Sequence, residues 1–289
     1  MRQFILIILL LAGISSASAS RRSDFVLWQL PSQINTIGNS YVFQMNNGDV
    51  VVMDGGVKEE TDYLRGFLAV LGNKVKIWFV SHPHPDHVGA LNEILKLPKG
   101  IKIEEVCFSE FSQAFCELEP AYKAVAEDFY MNLKKSGIPL LNVSQPGQVI
   151  KVDRTRFKII GVKDESIKIN AYNNSCMIIR VWDRKKSIVF LGDAGREEGE
   201  RLLNGPYRKD LDCNYLQMAH HGQKGVSKLF YRTIKFNACL WPTPSWLYNN
   251  DAGKGYNTGS FETLEIRNLI DSLGIKKNYV SWKGLYKIK

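Results

Sequence analysis

The chain has 289 residues, 45% of them hydrophobic and 23% charged, with a formal net charge of +9. That composition excludes a disordered polymer, and the length suits one large α/β domain or two small ones. The positive balance favours anionic partners, but lysine and arginine are spread along the chain without a clustered patch, so a solvated basic surface is the plainer reading.

Met1-Arg2-Gln3, an apolar run over residues 4–14 and the small residues Ala17-Ser18-Ala19 have the layout of a secretory signal peptide cut after Ala19. The run is well short of the ~20 residues that span a bilayer, which argues against a stable membrane anchor. Residues 1–19 are therefore expected to be a leader. Residues 20–289 are expected to form one domain that works outside the cytoplasm, periplasmic or extracellular, because no linker rich in Pro, Gly or Ser interrupts them.

Residues 25–30 and 41–44 read as strands, and Asn46-Asn47-Gly48 as a hairpin turn into a strand over 49–54. Gly55-Gly56 breaks that strand, so Asp54 either orients a neighbouring site or is an ordinary turn residue. Leu64, Phe67, Leu68 and Leu71 repeat at helical spacing and predict a helix over 59–71, closed by Gly72. An apolar run over 75–80 predicts a buried strand, and a helical pattern resumes at Val88.

Between them lies Ser81-His82-Pro83-His84-Pro85-Asp86-His87, a strand-to-helix turn with three imidazoles and a carboxylate within six residues. These are nitrogen and oxygen donors of the kind zinc takes. With two prolines holding the turn extended, His82 and His84 can point together toward one cation, and Asp86 and His87 could take a second. The plain alternative is a polar turn whose histidines are merely solvated.

The pattern then predicts a helix over 91–97, a strand over 103–108, an aromatic-rich loop over 108–119 and a helix over 121–136 ended by Gly137 and Pro139. Strands follow at 140–143, 157–162, 176–181 and 187–191, so the second half roughly repeats the order of the first. Gly192-Asp193 ends the last of these. Asp193 either bridges two cations or caps the helix expected over 197–203. The strand over 215–219 ends in His220-His221-Gly222, which confines all five histidines of the chain to two strand ends.

A short helix over 227–233, a strand over 237–241 and a loop over 242–260 come next; a loop of that length is functional or mobile. The last helix is expected from Ser260, with Phe261, Leu264, Leu269 and Leu273 inward, and strands over 279–282 and 285–288 close the chain. Five cysteines are too sparse and of the wrong parity for a disulfide framework. Cys176, Cys213 and Cys239 read as buried thiols, and Cys107 with Cys116 is the one pair able to bond.

Asp54-Gly55-Gly56, the His82-to-His87 turn, Gly192-Asp193 and His220-His221-Gly222 resemble the metallo-β-lactamase-fold hydrolases in order and spacing, over nearly the whole chain after the leader. Within that superfamily, His-His-Gly, Asn173-Asn174-Ser175 and Gly284-Leu285-Tyr286 are most similar to the hydrolase domain of competence DNA-uptake channels and to phosphorylcholine esterases. The resemblance implies an α/β fold, an αββα four-layer sandwich, with a binuclear metal site along one edge of its two sheets. It implies zinc, with manganese or iron as alternatives.

By the same resemblance His82 and His84 bind the first metal, Asp86 and His87 the second, and Asp193 bridges them. His221 joins the second metal because strand-end ligands in related nucleases directly precede a small residue, here Gly222. His220 then meets the substrate or its leaving group, and the reverse assignment stays open. Lys224 either neutralises a substrate anion or is a plain exposed lysine. Asp86, His220 and Lys224 are thus the candidate catalytic residues. The departure from the family is a further histidine in a Gly-His-Thr turn, absent from residues 164–175, which leaves the first metal to bind weakly or to take water or an oxygen ligand.

The implied activity is hydrolysis of phosphoester or phosphodiester bonds through a metal-bridging hydroxide, which needs no separate protein base. Asp193 argues against a true β-lactamase, since those resembling this motif use other residues there. The rival is a weakly catalytic or non-catalytic metal-binding module, motivated by the missing ligand. The substrate is expected to be a small or polymeric anion. Nucleic acid has no clustered basic patch to support it, and neither long loop carries a motif that names the substrate.

Overall fold

The computed structural model describes residues 23–289; the expected leader, residues 1–19, lies outside them. β1 (Phe25–Gln29), β2 (Ser40–Met45) and β3 (Val50–Asp54) form an antiparallel meander. Crossovers then add parallel neighbours. A 3-10 turn and α1 (Thr61–Val70) lead through β4 (Lys74–Val75) to β5 (Ile77–Phe79) beside β3. α2 (Pro85–Lys96) leads through β6 (Lys102–Ile103) to β7 (Val106–Phe108). α3 (Gln113–Cys116) and α4 (Pro120–Lys135) lead to β8 (Leu140–Asn142). β4 and β6 pair only with each other.

The second half repeats this plan. β9 (Val149–Val152), β10 (Thr155–Gly161), β11 (Ile178–Trp182) and β12 (Ser187–Phe190) are antiparallel. β13 (Tyr215–Gln217), β14 (Ala238–Trp241) and β15 (Lys277–Val280) then join in parallel, connected by α5 (Arg196–Asn204), α6 (Lys228–Thr233), α7 (Ser245–Tyr248) and α8 (Thr263–Ser272). β16 (Tyr286–Ile288) returns to pair with β1. The seven-stranded sheets run β16-β1-β2-β3-β5-β7-β8 and β15-β14-β13-β12-β11-β10-β9.

The alternation of side chains along a strand shows how many layers are stacked. All of β3 is buried, with Val50 and Val52 packed against α1, α2 and α4, and Val51 and Met53 facing the other sheet. In β12, Val189 packs toward α5, α6 and α8 while Ile188 and Phe190 face the first sheet. Both sheets are therefore covered on both faces, which is the αββα four-layer sandwich. Between them Phe43, Phe79, Phe157 and Phe190 interlock with ring centroids 5.2–5.8 Å apart, each burial contributing about 1.5–3 kcal/mol.

Three expectations are corrected. α2 starts at Pro85, not Val88, because proline is preorganised for the first helical position; Asp86 and His87 thus sit in a helical turn. α8 starts at Thr263 and buries Ile266, Leu269 and Ile270, while Leu273 lies past its end and is exposed. Cys107 and Cys116 are free, since the first lies between the sheets and the second on the helix side of the first sheet. All five cysteines are buried thiols. No helix among the described residues is long and apolar enough to cross a membrane.

Candidate metal centre

The carboxyl ends of β3 and β5 in one sheet and of β12 and β13 in the other meet at one edge of the sandwich, where α/β folds commonly build sites. Backbone bonds brace this edge: Met177 N, just before β11, donates to Ser81 O after β5 (2.7 Å), and His220 N after β13 donates to Gly192 O after β12 (3.1 Å). Gly192 is required there, since its φ is +52° and a Cβ would lie 3.0 Å from Cys176 Sγ and 3.1 Å from Ser81 Cβ. His220, His221 and Gly222 are all left-handed, with φ of 50°, 57° and 83°. Such a run persists only where its surroundings over-determine it. Here Thr243 Oγ1 donates to His221 O (2.7 Å) and His221 Nδ1 donates to Pro242 O (2.8 Å).

Two groups of ligand atoms result. One is Asp86, His87, Asp193 and His221; the other is His82, His84 and Asp193, all buried, and in each group the ligand atoms lie within 4.8 Å of one another. His221 Nε2 is 2.8 Å from Asp86 Oδ2 and 3.2 Å from Asp193 Oδ2, and His87 Nε2 is 3.2 Å from Asp193 Oδ1. His82 Nε2 and His84 Nδ1 are 3.0 Å apart. Asp193 alone belongs to both groups. It does not cap α5, whose N-cap is Gly195.

With His87 and His221 donating from Nδ1, their Nε2 lone pairs meet the carboxylates acceptor to acceptor, so Asp86 Oδ2, His87 Nε2, Asp193 Oδ1 and His221 Nε2 are buried without a hydrogen-bond partner among the described residues. Each such atom costs about 1–3 kcal/mol if nothing satisfies it. Four of them converging on one point fit a cation.

The far side of every candidate imidazole is engaged, and for His84, His87 and His221 the partner is a carboxylate or carbonyl that fixes the tautomer. His87 Nδ1 donates to Asp54 Oδ2 (2.8 Å), and His84 Nε2 donates to Glu119 Oε2 (2.9 Å). His82 Nδ1 lies 3.1 Å from Ser81 Oγ and 3.3 Å from Cys176 Sγ, and the same sulfur accepts from Asp193 N (3.2 Å). Burial pushes the Cys176 thiol well up, so it stays neutral beneath the two ligands.

The electrostatics favour positive charge at this edge. Burial alone would raise the Asp86 and Asp193 carboxyls, but the facing His87 and His221 outweigh it and hold both below the ordinary carboxylate range. Burial would likewise lower His87 and His221, yet the carboxylates raise both, His221 to about 10. Burial together with the neighbouring His87 and His84 keeps His82 well below its usual value, hence neutral. Carboxylates that hold protons on buried imidazoles are a setting in which a metal ion competes well.

Asp54 is more than a turn residue. Its Oδ1 accepts from Ser81 N (2.7 Å) and its Oδ2 from Asn39 Nδ2 (2.6 Å), Ser81 Oγ (2.9 Å) and His87 Nδ1. Asn39 O in turn accepts from the amides of Gly55 and Gly56, so the double glycine ties the turn to the site. Asp54→Ala strands these donors in the core and is expected to cost about 3–5 kcal/mol, read from the midpoint of urea unfolding. An unchanged midpoint would show that water replaces the carboxylate at no cost.

His220 is half-buried, its Nε2 4.0 Å from Asp193 Oδ2, and it belongs to neither group. Burial lowers its pKa. Lys224 is exposed with a φ of 34°; it borders a cavity of about 330 Å³ lined also by Arg196, Lys228 and Glu262 but by no residue of the two groups. The structure thus brings together His82, His84, Asp86, His87, Asp193 and His221, sets His220 beside them and leaves Lys224 at the periphery. Glu119, Asn39 and Cys176 complete the surroundings without any motif to announce them.

An RNase, aCSPSF2 of Saccharolobus solfataricus, is 28% identical over 216 residues, which is 68% of this chain and 40% of that protein. The chain therefore spans about two fifths of that relative's length. The metallo-β-lactamase fold protein YhfI of Bacillus subtilis superposes with a TM-score of 0.56 at 11% identity, covering 92% of this chain and 100% of that one. A diphosphatase of the PhnP family superposes with a TM-score of 0.51 at 12% identity, covering 92% and 97%. Both likenesses speak for the fold. The metallo-beta-lactamase superfamily matches residues 35–227, well over half of the 289, and with the ligand groups on its sheet edge this chain belongs to that superfamily.

Proposed function

We propose that this protein hydrolyses phosphoester or phosphodiester bonds with two bound cations, zinc in the first place and manganese or iron as alternatives. The observation that carries the reading is Asp193, a buried carboxylate that is the one residue common to the two sets of ligand atoms. His82, His84 and Asp193 would hold one cation, and Asp86, His87, Asp193 and His221 the other. Such a pair, when bound, would supply an activated water near neutral pH and positive charge against the transition state. The chain's own part is to hold that geometry: Asp54 and Glu119 orient two of the imidazoles, and His220 stands at the rim where a leaving group would emerge.

The relative named as an RNase supports phosphoester over lactam chemistry. The substrate we expect is an anion, small or polymeric. The export reading is a proposal too, tested by N-terminal sequencing of the protein recovered outside the cytoplasm, which should begin after Ala19.

A weakly catalytic binding module is the second reading, favoured by a first group of three residues where the second has four. Counting zinc per chain by native mass spectrometry separates the two, together with hydrolysis of phosphodiesters, phosphorylcholine esters, RNA, lactams and thioesters with zinc or manganese supplied. His84→Ala and Asp86→Ala should each lower phosphodiester turnover by roughly 100-fold or more with an unchanged circular dichroism spectrum. Full activity in the His84 variant would remove the first cation from the mechanism.

A further inference from the structure

The two ligand groups are unequal. Residues 164–175 offer no histidine, and at that turn stand Ala171 and Tyr172, both buried. In place of an imidazole the turn offers the Tyr172 ring beside His84 and its backbone amide, which donates to Glu119 Oε1 at 2.9 Å. The other oxygen of the same carboxylate, Oε2, accepts from His84 Nε2 at 2.9 Å.

We infer that Glu119 is the positioning residue of the first cation site, a carboxylate that orients and polarises His84 where the neighbouring turn supplies no imidazole of its own. The inference rests on the two-cation reading above.

Several contacts hold Glu119 in place. It directly precedes α4, whose first residue is Pro120, and its carbonyl accepts from Tyr122 N (2.9 Å) and Lys123 N (3.0 Å). The backbone is thus set by the helix start, and the side chain spans from the turn to the imidazole. A carboxylate can only accept, so His84 Nε2 must carry the proton and Nδ1 must present its lone pair. That is the nitrogen 3.0 Å from His82 Nε2, on the ligand side of the ring. Tyr122 and Tyr172 flank the same imidazole, with centroids 4.3 and 5.2 Å away, and limit its tilt.

The arrangement mirrors that of the second group, where Asp54 holds His87 in the same way. The charges are also of the sign a cation pair needs. Asp86 and Asp193 reach the ligand positions, and Asp54 and Glu119 stand one imidazole behind, giving four carboxylates against the four charges of two divalent ions. A carboxylate behind a ligand imidazole raises its basicity, and loss of such a partner typically weakens metal binding roughly 10–100-fold.

The test is a zinc titration of the full chain followed by native mass spectrometry. Glu119→Gln keeps the length and an oxygen for Tyr172 N but removes the charge. It should weaken one of the two zinc ions roughly 10–100-fold and leave the other unchanged, and Glu119→Asp should recover part of the loss. Added to His84→Ala, Glu119→Gln should remove no further zinc, whereas added to His221→Ala it should weaken the ion that remains. Glu165→Gln is the control for a merely structural role: Glu165 braces the same loop through Ser112 N and Oγ, 2.7 Å each, without touching the site, and its loss should leave zinc binding alone.

Wild-type zinc binding by Glu119→Gln, or equal weakening of both ions, overturns the inference while the two-cation reading stands. A wild-type chain that binds fewer than two zinc ions overturns both.

Discussion

Asp193→Asn is expected to harm this protein more than the loss of any single histidine. Its side chain is almost fully buried, with Oδ1 3.2 Å from His87 Nε2 and Oδ2 3.2 Å from His221 Nε2, and it is the one residue common to both ligand groups. An amide has a single acceptor oxygen and no charge, and its NH2 would point at a nitrogen or a cation. Bound metal should fall from two ions toward none, and phosphodiester turnover by roughly 1,000-fold or more. Removing one histidine, by contrast, leaves the other group complete. Metal analysis of the purified variant decides the matter, for two fully occupied sites would show that Asp193 is not a shared ligand.

The two clusters of candidate ligand residues could be read from the sequence because cation chemistry accepts few residue types, and this chain gathers its histidines at two strand ends. The order of strands was equally legible, since sheets covered on both faces demand apolar runs such as Val50-Val51-Val52-Met53. The support of the site was not. Glu119 lies 35 positions from His84, and Cys176 lies 94 from His82. Each is an ordinary residue until the fold brings it close. Nothing in the run around Glu119 separates a helix-start glutamate from one that holds a ligand imidazole.

Periodicity misjudged the edges of elements for a related reason: it detects a buried face, not a hydrogen-bond ladder. In α2 the apolar face begins at Val88, while the backbone turns helical at Pro85, where a missing N–H costs nothing. β9 escaped notice because it is an edge strand with Val149 and Lys151 exposed and only Val152 fully buried. The possible Cys107–Cys116 bond failed because proximity in sequence says nothing of which face of a sheet a side chain takes.

His220 and His221 should fail differently although they are adjacent. Consecutive left-handed residues turn their side chains apart, so that His221 Nε2 enters the ligand group while His220 Nε2 stays 4.0 Å from Asp193 and partly open to solvent. His221→Ala should therefore lower bound metal, and excess zinc should restore part of the activity by mass action on the weakened site. His220→Ala should leave metal content unchanged. If His220 instead serves the departing oxygen, its loss should be felt little with an aryl phosphodiester, whose leaving group needs no proton. With an alkyl phosphodiester the loss should reach roughly 100-fold, the usual scale of general acid–base assistance. Measuring metal content and both turnover rates for the two variants completes the test. Metal loss in His220→Ala but not in His221→Ala would reverse the roles, and equal loss in both would mean that the pair binds as one unit.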